Sequence, residues 1–226
     1  MDFRALALSF RLATVVSVAL LALGLPLGYW LAFTRRKWKF LVEALVALPL
    51  VLPPTVLGFY LLVALGPKSP IGQLWQSWTG HTLAFTFGGL VVGSILYSLP
   101  FALQPIAASF SAVDRKLLAA SATLGASKWR TFTRIILPLS RAGVITGFVL
   151  SFAHTLGEFG VVLMIGGNIP GATKTISIAI YDDVQAFDYV TANHAALLLL
   201  AISFATLVLV YGFNRRVFGF GEGEQS

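Results

Sequence analysis

Few side chains in this sequence could do chemistry, and two of them stand one helical turn apart. His154 and Glu158 have the four-residue spacing that places two groups on one face of a helix. They are the only ionisable residues between Arg141 and Ile165. In an apolar setting both must point inward, because a lone carboxylate facing lipid is expensive. Such a pair could relay a proton. It could also be structural, with Glu158 accepting hydrogen bonds from backbone or from His154, or helping to hold a closed gate. A second group is the run Asp114 to Pro138, DRKLLAASATLGASKWRTFTRIILP, in which cations alternate with aromatics. Aromatics supply buried area and arginines supply directional hydrogen bonds, so a short helix here suits docking on a soluble partner. The bland alternative is a basic interfacial loop anchored by Trp129. A third group, Asn168, Thr173 and Thr175, could line an outer mouth, although Gly166-Gly167-Asn168 and Pro170-Gly171 also read as turns.

Other chemistry has no residues to support it. No GxxxxGK[ST] phosphate loop occurs, so the chain is not expected to cradle ATP in that way. No cluster of histidines or paired carboxylates suggests a metal or hydrolytic site. We expect no catalytic residue, no metal, no cofactor and no enzyme activity.

The elements that must position these residues belong in a bilayer. Of 226 residues, 57% are hydrophobic and 11% are charged, and the mean hydropathy is +0.84. Soluble domains carry roughly 25% charged residues. Charges mark the ends of apolar stretches, and five spans are expected, at about 10–34, 43–65, 83–107, 141–165 and 192–213. The first is read as a retained span, since it is too long for a signal-peptide core. Residues 69–81 read as an external loop, and 174–189 as another, with room for a short interfacial helix. The tail after Phe220 reads as short, polar and disordered. Pro49, Pro53 and Pro54 should bend or break the second span, making Pro53, Pro54 and Thr55 candidates for a gate. Pro100 and Pro105 should kink the third.

The charge balance is +7, from 16 Lys and Arg against 9 Asp and Glu. Membrane topology explains it better than nucleic-acid binding, which is not expected. With the amino terminus outside, 12 of the 16 cations (Arg35, Arg36, Lys37, Lys39, Arg115, Lys116, Lys128, Arg130, Arg134, Arg141, Arg215 and Arg216) fall on the cytoplasmic side. That leaves Arg4, Arg11, Lys68 and Lys174 outside, in keeping with the positive-inside bias. The absence of cysteine fits a cytoplasmic membrane.

Within residues 114–138 the chain reads as two helical pieces broken at Gly125, which permits a left-handed turn. Gly125, Ile135, Leu137 and Pro138 stand at the spacings of the EAA loop of ABC importer permeases, which this stretch resembles. The EAA triplet falls on Ala119, Ala120 and Ser121, so the Glu is missing and the last Ala is Ser. Ala47–Leu62, Leu156–Gly160 and Gly167–Tyr181 are similar to the molybdate branch of that family, and sulfate permeases share parts of the last two. The resemblance implies an all-α membrane protein with five transmembrane helices and the type I ABC importer permease fold. Its coupling helix would be built from the residues just named with Ala126, Lys128, Trp129 and Arg130. It further implies a homodimer in a bacterial inner membrane, two cytoplasmic ABC ATPase subunits, and an external oxyanion-binding protein. Contact between Glu158 and an anionic cargo is disfavoured, because like charges repel. Tungstate, sulfate or thiosulfate as cargo, and a proton-coupled secondary transporter using His154 and Glu158, stay open.

Overall fold

The computed structural model describes residues 2–218, with side chains through residue 212. The tail after Phe220 lies outside the described residues, as do the side chains of Arg215 and Arg216. Every regular element described is helical. Helix α1, Phe3–Phe33, starts at Asp2, whose carboxylate accepts from the N–H groups of Arg4 and Ala5 at 3.0 Å each. At 31 residues and ~1.5 Å per residue, it is longer than a hydrocarbon core of about 30 Å. Helices α2 (Lys39–Val51) and α3 (Pro54–Leu65) follow, separated by a break. Leu52 and Pro53 each precede a proline, whose ring disfavours helical geometry in the residue before it. Both are extended there, with ψ 135° and 134°, and the chain bends by 113°. Residues 43–65 are therefore two helices rather than one straight span.

Residues 69–81, expected as a loop, contain helix α4 (Pro70–Thr79). Ser69 caps it by accepting from the Gly72 N–H at 2.8 Å, and Gly80 ends it at φ 78°. Helix α5 (Phe87–Ser111) passes through both Pro100 and Pro105. The next segment holds α6 (Arg115–Thr123), α7 (Lys128–Thr131), a π-helical turn at Phe132–Ile136, and α8 (Leu137–Leu139). It leads through a 71° bend into α9 (Arg141–Gly157). Helix α10 (Gly160–Gly166) follows a break at Glu158, so residues 141–165 are also interrupted. Helices α11 (Ile176–Gln185) and α12 (Tyr189–Phe218) complete the chain. Three helices (α1, α5 and the Tyr189–Gly212 part of α12) are each long and apolar enough to cross a membrane. Counting each bent pair as one span makes five.

The centre is a bundle of α1, α5 and α9. Between helices in lipid there is little hydrophobic driving force, so small residues and buried hydroxyls must hold the contact. A Cβ on Gly143 would lie 2.5 Å from the Pro105 carbonyl oxygen, and one on Gly147 would lie 2.6 Å from that of Ala102. The α5 and α9 backbones thus touch where glycine alone fits. Hydroxyls tie the same elements together: Ser98 to Thr155 at 2.9 Å, Ser151 to Ser17 at 3.4 Å, and Ser140 donating to the Ser109 carbonyl at 3.1 Å. Ser9 accepts from the Ile176 N–H at 2.8 Å and pins α11 to α1. Outside this bundle, α2, α3 and α12 expose large apolar side chains, among them Leu45, Val51, Phe59 and Phe204.

Overpacking of a helix contact typically costs about 1–3 kcal/mol. Gly143→Ala and Gly147→Ala should each lower the unfolding temperature of the detergent-solubilised protein. Gly157→Ala, whose Cβ would meet nothing within 4 Å, should leave it unchanged.

Candidate functional site: a docking segment joined to two interrupted spans

The docking segment is built around Gly125. Its φ is 71°, the left-handed region where a Cβ is penalised, yet a Cβ there would meet no atom within 4 Å. Glycine is required for conformation, not for space. The turn is closed by the Gly125 N–H to the Ala122 carbonyl at 3.0 Å and the Ala126 N–H to the Ser121 carbonyl at 3.1 Å. Ser121 is buried, and its hydroxyl bonds that of Thr131 at 2.7 Å. The serine that replaces the last alanine of the triplet therefore fastens α6 to α7. Ser127 caps α7 by accepting from the Arg130 N–H at 3.2 Å, and Asp114 caps α6 by accepting from the Lys116 N–H at 2.8 Å.

The outward side of this segment is apolar and cationic. Leu124 is 86% exposed and Trp129 73%; Ala119, Ala120, Lys128 and Arg130 are exposed beside them, with Ala126 half-buried. Against five cations in residues 114–138 stands one carboxylate, Asp114. Leu124 escapes attention in the sequence because a leucine ending an apolar helix reads as core.

The inward side is aromatic. Phe132 meets Tyr29 of α1 edge-on at 5.6 Å and 90°, and Phe110 of α5 at 5.9 Å and 78°; the Trp129 ring lies 5.9 Å away. Such pairs are worth about 0.5–1.5 kcal/mol beyond their buried area. The π turn aims Phe132 there: the Leu137 N–H reaches back to the Phe132 carbonyl. A proline clashes with the carbonyl four residues before it, here that of Arg134, and the wider turn relieves Pro138. Ile135 and Leu137 are half-buried, while Pro138 is exposed upstream of the 71° bend. Tyr29, Phe110 and the turn carry no local sequence signal.

The two interrupted spans meet each other. A Cβ on Gly160 would lie 2.6 Å from Pro54 Cβ and 3.5 Å from the Thr55 nitrogen, and one on Gly58 would lie 2.7 Å from Met164 Cβ. The fold therefore brings Pro54 and the Thr55 backbone to the break that follows Glu158, with the side chains of Pro53 and Thr55 exposed, and α3 packs on α10. Glu158 is extended at the end of α9 and 4% exposed. Its carboxyl oxygens make no hydrogen bond of ordinary length among the described residues, and the buried Ser94 hydroxyl is the donor beside them. The expected bond to His154 is not formed. His154 Nδ1 pairs instead with Ser98 Oγ at 2.9 Å, and its ring stacks on Phe101 at 3.9 Å. A helix end, not a continuous helix, carries Glu158, so the four-residue spacing does not bring the two together.

On the opposite end, residues 167–175 form a tight loop. Asn168 has φ 55° and donates to both carboxyl oxygens of Asp182 at 3.1 Å, and Lys174 pairs with Asp182 at 2.7 Å. Partial burial works against ionisation of Asp182, but the Lys174 ammonium and the Asn168 amide outweigh it and hold its carboxyl below the usual range. Thr173 and Thr175 are buried, and Thr173 accepts from the Ile169 N–H at 3.0 Å and donates to the Gly166 carbonyl at 2.6 Å. These two threonines build the loop instead of facing an opening; Asn168 alone of the three is partly exposed.

Residues 24–219 match the family model described as binding-protein-dependent transport system inner membrane component, and the chain belongs to this family. It is 50% identical over 214 residues to the molybdenum transport system permease protein ModB of Azotobacter vinelandii, covering 95% of each chain. The corresponding Escherichia coli K12 protein is 39% identical over 184 residues, covering 81% of this chain and 80% of that one. Among solved structures, a bacterial ABC transporter involved in import of the acidic polysaccharide alginate superposes with a TM-score of 0.76. It covers 96% of this chain and 79% of that one at 18% identity, a likeness of fold.

Two outcomes check this geometry. A left-handed conformation costs a branched residue about 1–2 kcal/mol; Gly125→Val should lower the unfolding temperature of the detergent-solubilised protein, while Gly125→Asn should largely retain it. For Asp182, a lowered folded pKa means that the stabilisation is present at neutral pH. It fades as pH falls below about 4 through the folded value. The melting-temperature gap between wild type and Asp182→Asn should therefore narrow between pH 7 and pH 3.

Proposed function

We propose that this chain is the membrane-spanning subunit of an ATP-driven importer that passes molybdate across the cytoplasmic membrane by alternating access. The observation that carries the reading is the likeness to molybdenum transport permeases, at half of all aligned positions and nearly end to end. The geometry supports the mechanism. Leu124 and Trp129 offer a soluble ATPase an apolar footing ringed by cations, and Phe132 transmits its movement to α1 and α5. The Pro53–Thr55 break, packed on the break after Glu158, supplies the gate. Glu158 is buried at the gate's hinge, away from an anionic cargo. An ATPase that closes on ATP would pull the two docking segments of a homodimer together and turn the path outward. An external binding protein would then deliver the oxyanion, so selectivity can reside outside the membrane. The amino terminus is outside in this reading and the docking segment cytoplasmic.

ATP-dependent uptake of labelled molybdate into vesicles holding this chain with its ATPase and binding protein tests the class. Leu124→Glu, at an exposed site, should fold normally yet lose both ATPase co-purification and uptake. Uptake that persists without ATP would favour a proton-coupled carrier, and equal competition by sulfate would change the cargo. Topology has its own check, because the chain lacks cysteine. A cysteine at Ser77 should react with an impermeant maleimide added outside intact cells, and one at Ser127 only after permeabilisation.

A further inference from the structure

Beside the docking segment lies an apolar groove of about 470 Å³. One wall is α1, with Ala22, Leu25 and Tyr29; the other is Trp129 and Phe132. Lys128 stands in the lining as its one charged group, and it makes no ion pair among the described residues. Pro26, exposed on the same stretch of α1, completes the floor.

The depth of this groove decides what can fill it. Helix α1 ends at Phe33, next to Trp30, whose ring lies 5.1 Å from that of Trp38, and to the basic run Arg35 to Lys37. Aromatic and cationic residues together mark a cytoplasmic membrane interface. Leu25 lies eight residues before that end, about 12 Å into the hydrocarbon at 1.5 Å per residue. A soluble subunit seated on Trp129 cannot reach so far. A lipid chain can, and a basic pocket between helices at the cytoplasmic side suits an anionic headgroup.

We propose that this groove holds an acyl chain of an anionic phospholipid, with its phosphate on Lys128. The inference rests on the reading of α7 as a cytoplasmic docking helix. A chain lodged there packs Trp129 and Phe132 against α1 from the lipid side. The stiffness of the link between ATPase and bundle then depends on the anionic lipid content of the membrane.

The test uses the whole transporter, ATPase subunits included, in nanodiscs carrying phosphatidylglycerol with a photoactivatable diazirine in its acyl chain. Crosslinked peptides are mapped by mass spectrometry. Adducts should fall on residues 22–29 and 128–132, and unlabelled phosphatidylglycerol should compete at least as well as expected for an excess, phosphatidylcholine about fivefold less well, the discrimination one interfacial cation supplies. Lys128→Gln should erase that preference, Lys116→Gln should not, and Ala22→Phe, which fills the groove, should remove the adducts. Equal competition by the two lipids overturns the anionic assignment. Absence of adducts in wild type, or adducts unchanged in Ala22→Phe, overturns the site. Neither result depends on uptake, so failure here is separable from failure of the transport reading.

Discussion

Everything in this molecule hangs on the contact between the α5 and α9 backbones at Gly143 and Gly147. Lipid tails are as apolar as leucine, so the bundle cannot be held by expelling water. It is held by close approach and by buried hydroxyls that have no better partner in hydrocarbon. Ser98, Thr155, Ser151 and Ser17 are fully or nearly fully buried and link α1, α5 and α9 to one another. That rigid centre lets two weaker features exist beside it. The helix breaks at Leu52–Pro53 and Glu158–Phe159 free backbone groups that would be unaffordable facing lipid, and they are placed against each other.

Residues 114–138 show how a small segment can be fastened to such a bundle. One face of α7 and its π turn is exposed, and the other is inserted between Tyr29 and Phe110. Edge-on aromatic contacts thus join the segment to two helices at once. Ser121 and Thr131 keep α6 from swinging free of α7. In the family pattern a glutamate begins the triplet; here Ala119 stands in its place, and hydroxyl bonding together with the Gly125 turn holds the segment's shape.

How much of this was legible in the sequence follows from how local each cause is. The break at Gly125 was legible because only glycine adopts that φ freely, and the break in residues 43–65 because prolines act on the residue before them. Helix α4 was misread as a loop although its ends are signalled, with Pro70 in the first turn and Gly80 just past the last. Its polar, tryptophan-bearing composition hid them. The pairing of His154 with Ser98 depends on which helix lies alongside, a choice set by glycines 45 and 49 residues away from Ser98. The same holds for Phe132 meeting Tyr29 and Phe110. Thr173 and Thr175 read as mouth residues because exposure, unlike turn propensity, is not a property of the segment alone. The shared helix face expected for Glu158 and His154 is lost because periodicity assumes an uninterrupted helix, and this one ends at Glu158.

The π turn at Phe132–Ile136 also sets a phase. A helix that bonds five residues back accommodates one residue more than an α turn of the same rise, and each residue of an α-helix turns the chain through about 100°. The turn is thus a fixed rotational offset between the docking helix and everything that follows. Its length, more than its side chains, decides which face of α7 is exposed and which meets α1. A homologous chain with one residue fewer between Trp129 and Pro138 would present a different stripe of the same helix, even if every contact residue were retained.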